Sequence, residues 1–426
     1  MPDDAQRVFQ RGWASEAGAR LRSAFADLRR STAEARTAGL SAMAGALRAN
    51  ADTILAANRE DLSDAAADSK PAAFIDRLAL DAERLDAIIT AVETVAALPD
   101  PAGSRVLSWT APSGVRIDQV REPLGAIGVI FESRPNVAAD AAALCLRAGD
   151  VCVLRGGRDC ERSVSAIVAA LREGLAAAGL PADAVQTPPG SDRAYVGDIL
   201  GGLDGALDLV IPRGGKDLVA RVQRDARVPV LGHLDGVCHV YVHADAEPDM
   251  ARDIVLNSKM RRTGVCNAAE TLLIDSACAQ ALLPDIAWAL IKAGCTLRGD
   301  ARAQTIAPEI EAASAADWDA EYLDAILTVG VVDGLDGALA HIARHGSGHT
   351  DAIVTTSEAI ASRFLSEVDS AVVLHNASTG FSDGGEFGFG AEIGIATGRI
   401  HARGPVGAEQ LTTTKYQVRG GGQVRS

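Results

Sequence analysis

Strands alternating with helices predict a doubly wound α/β protein, and three features of the 426-residue sequence carry that expectation. From residue 124 onward, short β-branched and apolar runs recur between longer amphipathic stretches. Gly and Pro punctuate the junctions, and 48% hydrophobic with 23% charged residues is the composition of a globular chain able to bury more than one core. Right-handed crossovers between such strands give parallel sheets, which bind ligands outside the carboxyl ends of their strands.

Residues 16 to about 100 place apolar positions three and four apart and read as successive amphipathic helices, closed by the turn residues PDPAGSR at 99–105. VLSWTAPSGVRIDQVREP (106–123) predicts a hairpin around PSG. The first alternating series follows: strand LGAIGVIF, helix PNVAADAAALCLRAGD with Pro at its start and Gly at its end, strand VCVLR, helix ERSVSAIVAALREGLAAAG, a short strand near AVQTPPG, helix RAYVGDILGG and strand LDLVIP. After 245 a second series runs helix PDMARDIVLNSKM, strand TLLID, helix CAQALLPDIAWALIKAG, strand AILTVGVV, helix LDGALAHIARHG, strand DAIVT, helix SEAIASRFLSE and strand AVVLHN. The tail from about 396 is expected to pair with the 106–123 hairpin as a subunit-bridging sheet.

The 41 basic and 56 acidic residues give a formal charge of −15 with no long single-sign block, which argues against a nucleic-acid partner. The opening MPDDAQRVFQRGWASEAGARL lacks the apolar core of a signal peptide, and no window resembles a membrane span, so a cytoplasmic protein is expected. Seven cysteines without a CxxC pair fit reduced thiols better than disulfides or structural zinc.

Two turns suit a nucleotide. Arg155, Gly156, Gly157 and Arg158 follow one strand, and Arg213, Gly214, Gly215 and Lys216 join another strand to a helix. Small residues permit close backbone approach, and a helix N-terminus favours phosphate. The bland alternative is a pair of ordinary tight turns, and neither GxGxxG nor GxxxxGK[ST] occurs. The arginines suit a 2′-phosphate, hence NADP over NAD. In FESRPNV, Asn136 offers an amide donor and Arg134 a guanidinium for a carboxylate or phosphate, with helix capping as the alternative role of this stretch.

Cys266, in RTGVCNAAET, follows a helix ending in cations. Lys259, Arg261 and Arg262 are close in sequence and would favour thiolate, while the small Gly264 and Ala268 leave room for a substrate. The other six cysteines read as structural. His341, His345 and His349 are four apart, but Gly346 and Gly348 should break the helix before the last, so no metal site is expected there.

MRRTGVCNAAETLLID, FESRPNVAADAAALCLRAGD, ALAHIARHGSGHTDAIVT and FGFGAEIGIATGRIHARGPVGAEQLTT together resemble the gamma-glutamyl phosphate reductase family of the aldehyde dehydrogenase superfamily, from about residue 20 to 415. The resemblance implies an aldehyde dehydrogenase-like α/β fold: a Rossmann-like NADP-binding domain (1–105 and 124–240), an α/β catalytic domain (241–395) and a small oligomerisation sheet (106–123 and 396–426). It implies NADPH-dependent reduction of L-glutamyl 5-phosphate to glutamate 5-semialdehyde in proline biosynthesis, by a homo-oligomer that a glutamate kinase would supply. Cys266 is then the nucleophile, Asn136 an oxyanion donor, Arg155 a contact to the adenosine ribose, the Arg213–Lys216 turn a phosphate contact and Glu321 a nicotinamide-ribose contact. Arg134, Lys259, Arg261 and Arg262 are the cations available to substrate. The stretch matching the general-base glutamate of hydrolytic relatives, GHLDGVCHV, contains no glutamate, although Asp235 is a shorter acid. Two alternatives share these features: a hydrolytic NAD(P)-dependent aldehyde dehydrogenase and a non-catalytic nucleotide-binding assembly protein.

Overall fold

Five helices come first in the computed structural model, which describes residues 4–425: α1 Asp4–Leu28, α2 Ala33–Ala49, α3 Ala51–Ala67, α4 Ala72–Leu78 and α5 Ala82–Ala97. The antiparallel pair β1 Arg105–Thr110 and β2 Arg116–Pro123 follows. Then come β3 Ala126–Phe131, α6 Asn136–Ala148, β4 Val151–Arg155, α7 Glu161–Ala177, β5 Val185–Gln186, α8 Arg193–Leu200, β6 Leu209–Arg213 and α9 Lys216–Asp225. Next are β7 Cys238–Val242, α10 Pro248–Met260, β8 Ala269–Asp275, α11 Ser276–Lys292, β9 Thr296–Gly299, α12 Ala301–Ile306, β10 Glu311–Ala312 and β11 Ile326–Val332. The last are α13 Gly334–His345, β12 Thr350–Val354, α14 Glu358–Glu367, β13 Val372–His375, β14 Ile395–Ala396, β15 Gly404–Pro405 and β16 Thr412–Arg419. Strands β7 and β9 are absent from the sequence-based series: CHVYV and TLRG are short and carry polar residues, so their apolar signal is weak.

The chain forms two compact units, the first Met1–Gly232 with Gly388–Gly394 and Val406–Ser426, the second His233–Phe387 with Ile395–Pro405. In the first, a parallel sheet ordered β5-β4-β3-β6 has β3 wholly buried, as expected of a strand covered on both faces. Strand order reverses beside β3, where β6 pairs on the opposite side from β4, and such reversals open a crevice at the carboxyl ends. The helix α6 packs almost entirely buried alanines and leucines, and Gly149, at φ 88°, ends it in the left-handed conformation that glycine adopts without a Cβ clash. Arg147 is buried at its last turn, donating from Nε to Val95 O at 3.1 Å, while Arg36 bonds Asp100 at 2.8 Å. Both charges are therefore satisfied under the helical layer.

A separate antiparallel sheet in the same unit has the order β1-β2-β16, with β16 in register with β2 from Thr412↔Pro123 to Arg419↔Arg116. The hairpin thus pairs with the tail. The tail segment 396–405 does not join it: β14 and β15 form a small ladder of the second unit.

The second unit carries a parallel sheet ordered β10-β9-β11-β8-β7-β12-β13. Alternation along the strands splits its core in two. Val240, Val242, Leu272 and Ile274 face Val255, Leu283 and Leu290 of α10 and α11, whereas Tyr241, Leu273 and Ile353 face Ile342 and Phe364 of α13 and α14. Among the described residues no helix is long and apolar enough to cross a membrane.

Candidate active site

Cys266 lies in the loop between α10 and β8 and is half-buried, whereas the other six cysteines are buried. The loop enters the sheet at the amino end of β8, between the neighbours β7 and β11. This reverses the expectation of a site at the carboxyl ends for this unit, because the thiol is delivered by the segment that precedes a strand.

The entry to β7 passes close to the cysteine backbone. A Cβ on Gly236 would fall 2.2 Å from the Cys266 carbonyl oxygen and 2.8 Å from Glu321 Oε1, so no larger residue fits between them. Glu321, assigned to cofactor by resemblance, is therefore brought beside the thiol loop. From β7 itself, the Cys238 thiol donates to the Cys266 carbonyl at 3.2 Å. Burial pushes the Cys238 thiol well above its usual range and keeps it protonated. From the amino end of β12 comes His349, fully buried. A ring nitrogen of His349, one of His233 and the Cys266 sulfur all lie within 4.8 Å of one another.

Loop 378–382 fastens the thiol segment. Asn267 donates to Ser382 O at 3.0 Å, and the Thr379 amide donates to Ser258 Oγ at 3.1 Å. Arg261 and Arg262 are exposed. Lys259 is not the available cation the sequence suggests: it is fully buried at the end of α10, with Nζ 2.5 Å from Glu270 Oε2. Burial pushes Glu270 up to about 7 against the opposing pull of Lys259. The three spaced histidines also part company, since α13 ends at His345, whose Nδ1 meets Asp319 at 2.7 Å, while His349 joins the cysteine. Burial is the main cause that pushes His341 down to about 3, so it packs as a neutral ring beside Trp318.

In the first unit, Asn136 is the first residue of α6, and its Nδ2 donates to Asp140 Oδ2 at 2.9 Å, one turn along. No side chain caps this helix. Burial raises Asp140 to about 6 despite the Asn136 bond and the nearby Arg213 guanidinium. Arg134 is exposed in the loop before α6.

The nucleotide-type turns both sit at carboxyl ends of the first sheet. Arg155 closes β4, donates to Ser191 O at 2.8 Å and keeps a buried Nε without a partner. Gly156 is required beside it, since a Cβ there would meet Val164 at 2.9 Å and Cys160 at 3.0 Å; Gly157 follows with ordinary clearance. Arg213 closes β6, and Gly214 and Gly215 lead into Lys216, the first residue of α9. The Gly215 amide donates to the Glu132 carboxylate at 2.8 Å, an anion already held at the helix start. The orphaned guanidinium N–H of Arg155 is a donor that a dinucleotide oxygen would satisfy, whereas the start of α9 is already filled by the Glu132 carboxylate.

Residues 10–318 match the aldehyde dehydrogenase family. The chain is 58% identical over 410 residues to gamma-glutamyl phosphate reductase of Parvibaculum lavamentivorans, covering 96% of this chain and 97% of that one. It is 60% identical over 398 residues to the Caulobacter vibrioides protein of the same name, covering 93% and 96%. The chain belongs to the gamma-glutamyl phosphate reductase family. The crystal structure of gamma-glutamyl phosphate reductase from Thermotoga maritima superposes with a TM-score of 0.94 at 42% identity, covering 97% of this chain and all of that one. An aldehyde dehydrogenase-like α/β fold and a nicotinamide cofactor follow from membership of the gamma-glutamyl phosphate reductase family. The sequence does not single out Gly236, His233, Glu270 or Asp140, and it presents His349 only as one of three spaced histidines. The one local signal was the unusual density of Gly and His in GHLDG and HGSGH.

Proposed function

We propose that the protein reduces L-glutamyl 5-phosphate to L-glutamate 5-semialdehyde with NADPH, releasing phosphate, as a step of proline biosynthesis. The observation that carries this is near-full-length identity of 58–60% to relatives named for that reaction. A half-buried Cys266 in a chain whose other thiols are buried supports the choice of nucleophile. Its sulfur attacks the acyl carbon; the S–C bond forms, the C–O bond to phosphate breaks, and phosphate leaves with the electron pair. When bound, the nicotinamide supplies the hydride that takes the thioester to the aldehyde level.

The chain's own groups orient these events. The Cys238 thiol holds the Cys266 carbonyl, and the missing side chain of Gly236 leaves room for it, which together set the path of the thiol loop. Asn136 is the carboxamide assigned to the oxyanion, and Asp140 holds its Nδ2 in a fixed rotamer. Arg155, Gly156, Gly157, Arg213, Gly214, Gly215 and Lys216 are the residues that would hold the dinucleotide, with the cations suited to a 2′-phosphate. Glu321 would hold its ribose. Arg134, Arg261 and Arg262 serve the substrate's anionic groups; Lys259, neutralised by Glu270, does not.

The β1-β2-β16 sheet exposes Leu107, Trp109, Tyr416 and Val418, with Trp109 and Tyr416 edge to face at 6.0 Å. Such a face calls for burial, and a second copy of the chain is the proposed cover. Seven free cysteines suit the reducing cytoplasm, where a kinase acting on the glutamate side chain would supply the labile acyl phosphate.

The test is Cys266→Ser. Turnover should fall by at least about 1,000-fold while NADPH binding persists. Substantial residual reduction would remove Cys266 from the reaction.

A further inference from the structure

We propose that Cys266, His233 and His349 form a binding site for a thiophilic divalent cation of the zinc class, whose occupancy reversibly silences the thiol. The sulfur and one ring nitrogen from each histidine already lie within 4.8 Å of one another. Tetrahedral zinc with bonds of about 2.0–2.3 Å spaces such ligand atoms roughly 3.5 Å apart, so side-chain rotations of about 1 Å complete the set.

Hydrogen bonding has prepared both imidazoles as ligands. His233 Nδ1 lies 2.7 Å from the Ile395 carbonyl, which only accepts, so Nδ1 carries a proton and, in the neutral ring, Nε2 holds the lone pair. His349 Nδ1 lies 2.9 Å from Thr350 Oγ1, whose own proton goes to Ser382 Oγ. The hydroxyl therefore accepts from Nδ1–H. Cys238, 3.6 Å from the same nitrogen, spends its thiol proton on the Cys266 carbonyl and leaves a sulfur acceptor. In the neutral ring with Nδ1 protonated, His349 Nε2 holds the lone pair, and it is buried with no hydrogen-bond partner. An outer partner that fixes each ring's tautomer is the usual arrangement behind histidine ligands of metals.

Two imidazoles and one thiolate select zinc or cobalt over magnesium or calcium, and leave a fourth position for water. On binding, the S–H bond breaks, its proton is released to solvent, and the sulfur lone pair bonds the metal, with no change of oxidation state. The same lone pair is the one that attacks an acyl carbon, so metal and substrate exclude each other.

The experiment uses the full chain and cobalt as a probe, with neither substrate nor cofactor present, so its outcome is independent of the reductase assignment. Titration with Co²⁺ should give one tetrahedral ion per chain with a thiolate-to-cobalt charge-transfer band. Zn²⁺ should displace it, release about one proton and slow alkylation of Cys266 by iodoacetamide at least about tenfold, all reversed by EDTA. Cys266→Ser should abolish the charge-transfer band. His349→Gln and, as a second ligand variant, His233→Gln should each weaken binding by at least about tenfold, with circular dichroism confirming that they fold. Absence of the band, a band that survives both histidine variants, or zinc that leaves alkylation unchanged would overturn the proposal.

Discussion

The ammonium of Lys259 lies 2.5 Å from the Glu270 carboxylate, with neither side chain more than 1% exposed. The pair ties the last turn of α10 to β8, the two elements that flank the Cys266 loop. Breaking a buried pair strands a charge, at a cost of about 3–5 kcal/mol, whereas replacing both partners with apolar groups is often near neutral. Lys259→Met should therefore lower the thermal midpoint clearly, and the double variant Lys259→Met with Glu270→Leu should recover most of the loss. Equal destabilisation by single and double variants would show that the charges do not act as a pair.

Gly236 makes a sharper claim about geometry. Gly236→Ala places a methyl 2.2 Å from the Cys266 carbonyl oxygen, so the thiol loop must shift. A displacement near 1 Å at a reacting group costs on the order of 100-fold in rate. Steady-state kinetics should show that loss mainly in kcat, with far-ultraviolet circular dichroism unchanged. Wild-type kcat would show that the close approach is tolerated and that loop position is set elsewhere.

Asp140 predicts a pH dependence. Its value in the folded protein is about 6, raised by burial above the 3.8 of an ordinary aspartate. The neutral acid's advantage is complete below about pH 4 and is lost as pH rises through about 6, so ionisation destabilises the fold by at most about 3 kcal/mol. Asp140→Asn should gain stability relative to wild type across that window and hold a constant difference above it. Parallel stability curves from pH 4 to 7 would contradict the raised value.

The exposed face of β1 and β16 predicts assembly. Wild type should sediment as a multiple of the 44.0 kDa chain, and Leu107→Asp with Val418→Asp should shift it to the monomer. A wild-type monomer at micromolar concentration would leave the sheet without its proposed cover.

Legibility in the sequence followed the strength of local patterning. Pro248–Met260, with Pro at its first turn and apolar positions at helical spacing, matches the expected helix residue for residue. The turns after β4 and β6 were visible because glycine between a strand and a helix is a local signal. The strand β7 was not: its second residue, His239, is polar, and its pairing with Asp351 at 2.7 Å is what makes it a core residue. Lys259 misled for the same reason, since its charge was visible in the sequence and its partner, eleven residues on across a turn, was not. His349 was legible as a histidine after a helix break, but its neighbours His233 and Cys266 come from distant segments that parallel-sheet crossovers bring to one edge. Long-range convergence of this kind leaves no periodic trace.

Acyl-phosphate chemistry at Cys266 is best tested in reverse: formation of NADPH from glutamate 5-semialdehyde and NADP, with and without inorganic phosphate. Strict dependence on phosphate is expected, because phosphate must resolve the thioester. Equal rates without phosphate would mean that water resolves it, and the protein would be a hydrolytic aldehyde dehydrogenase instead.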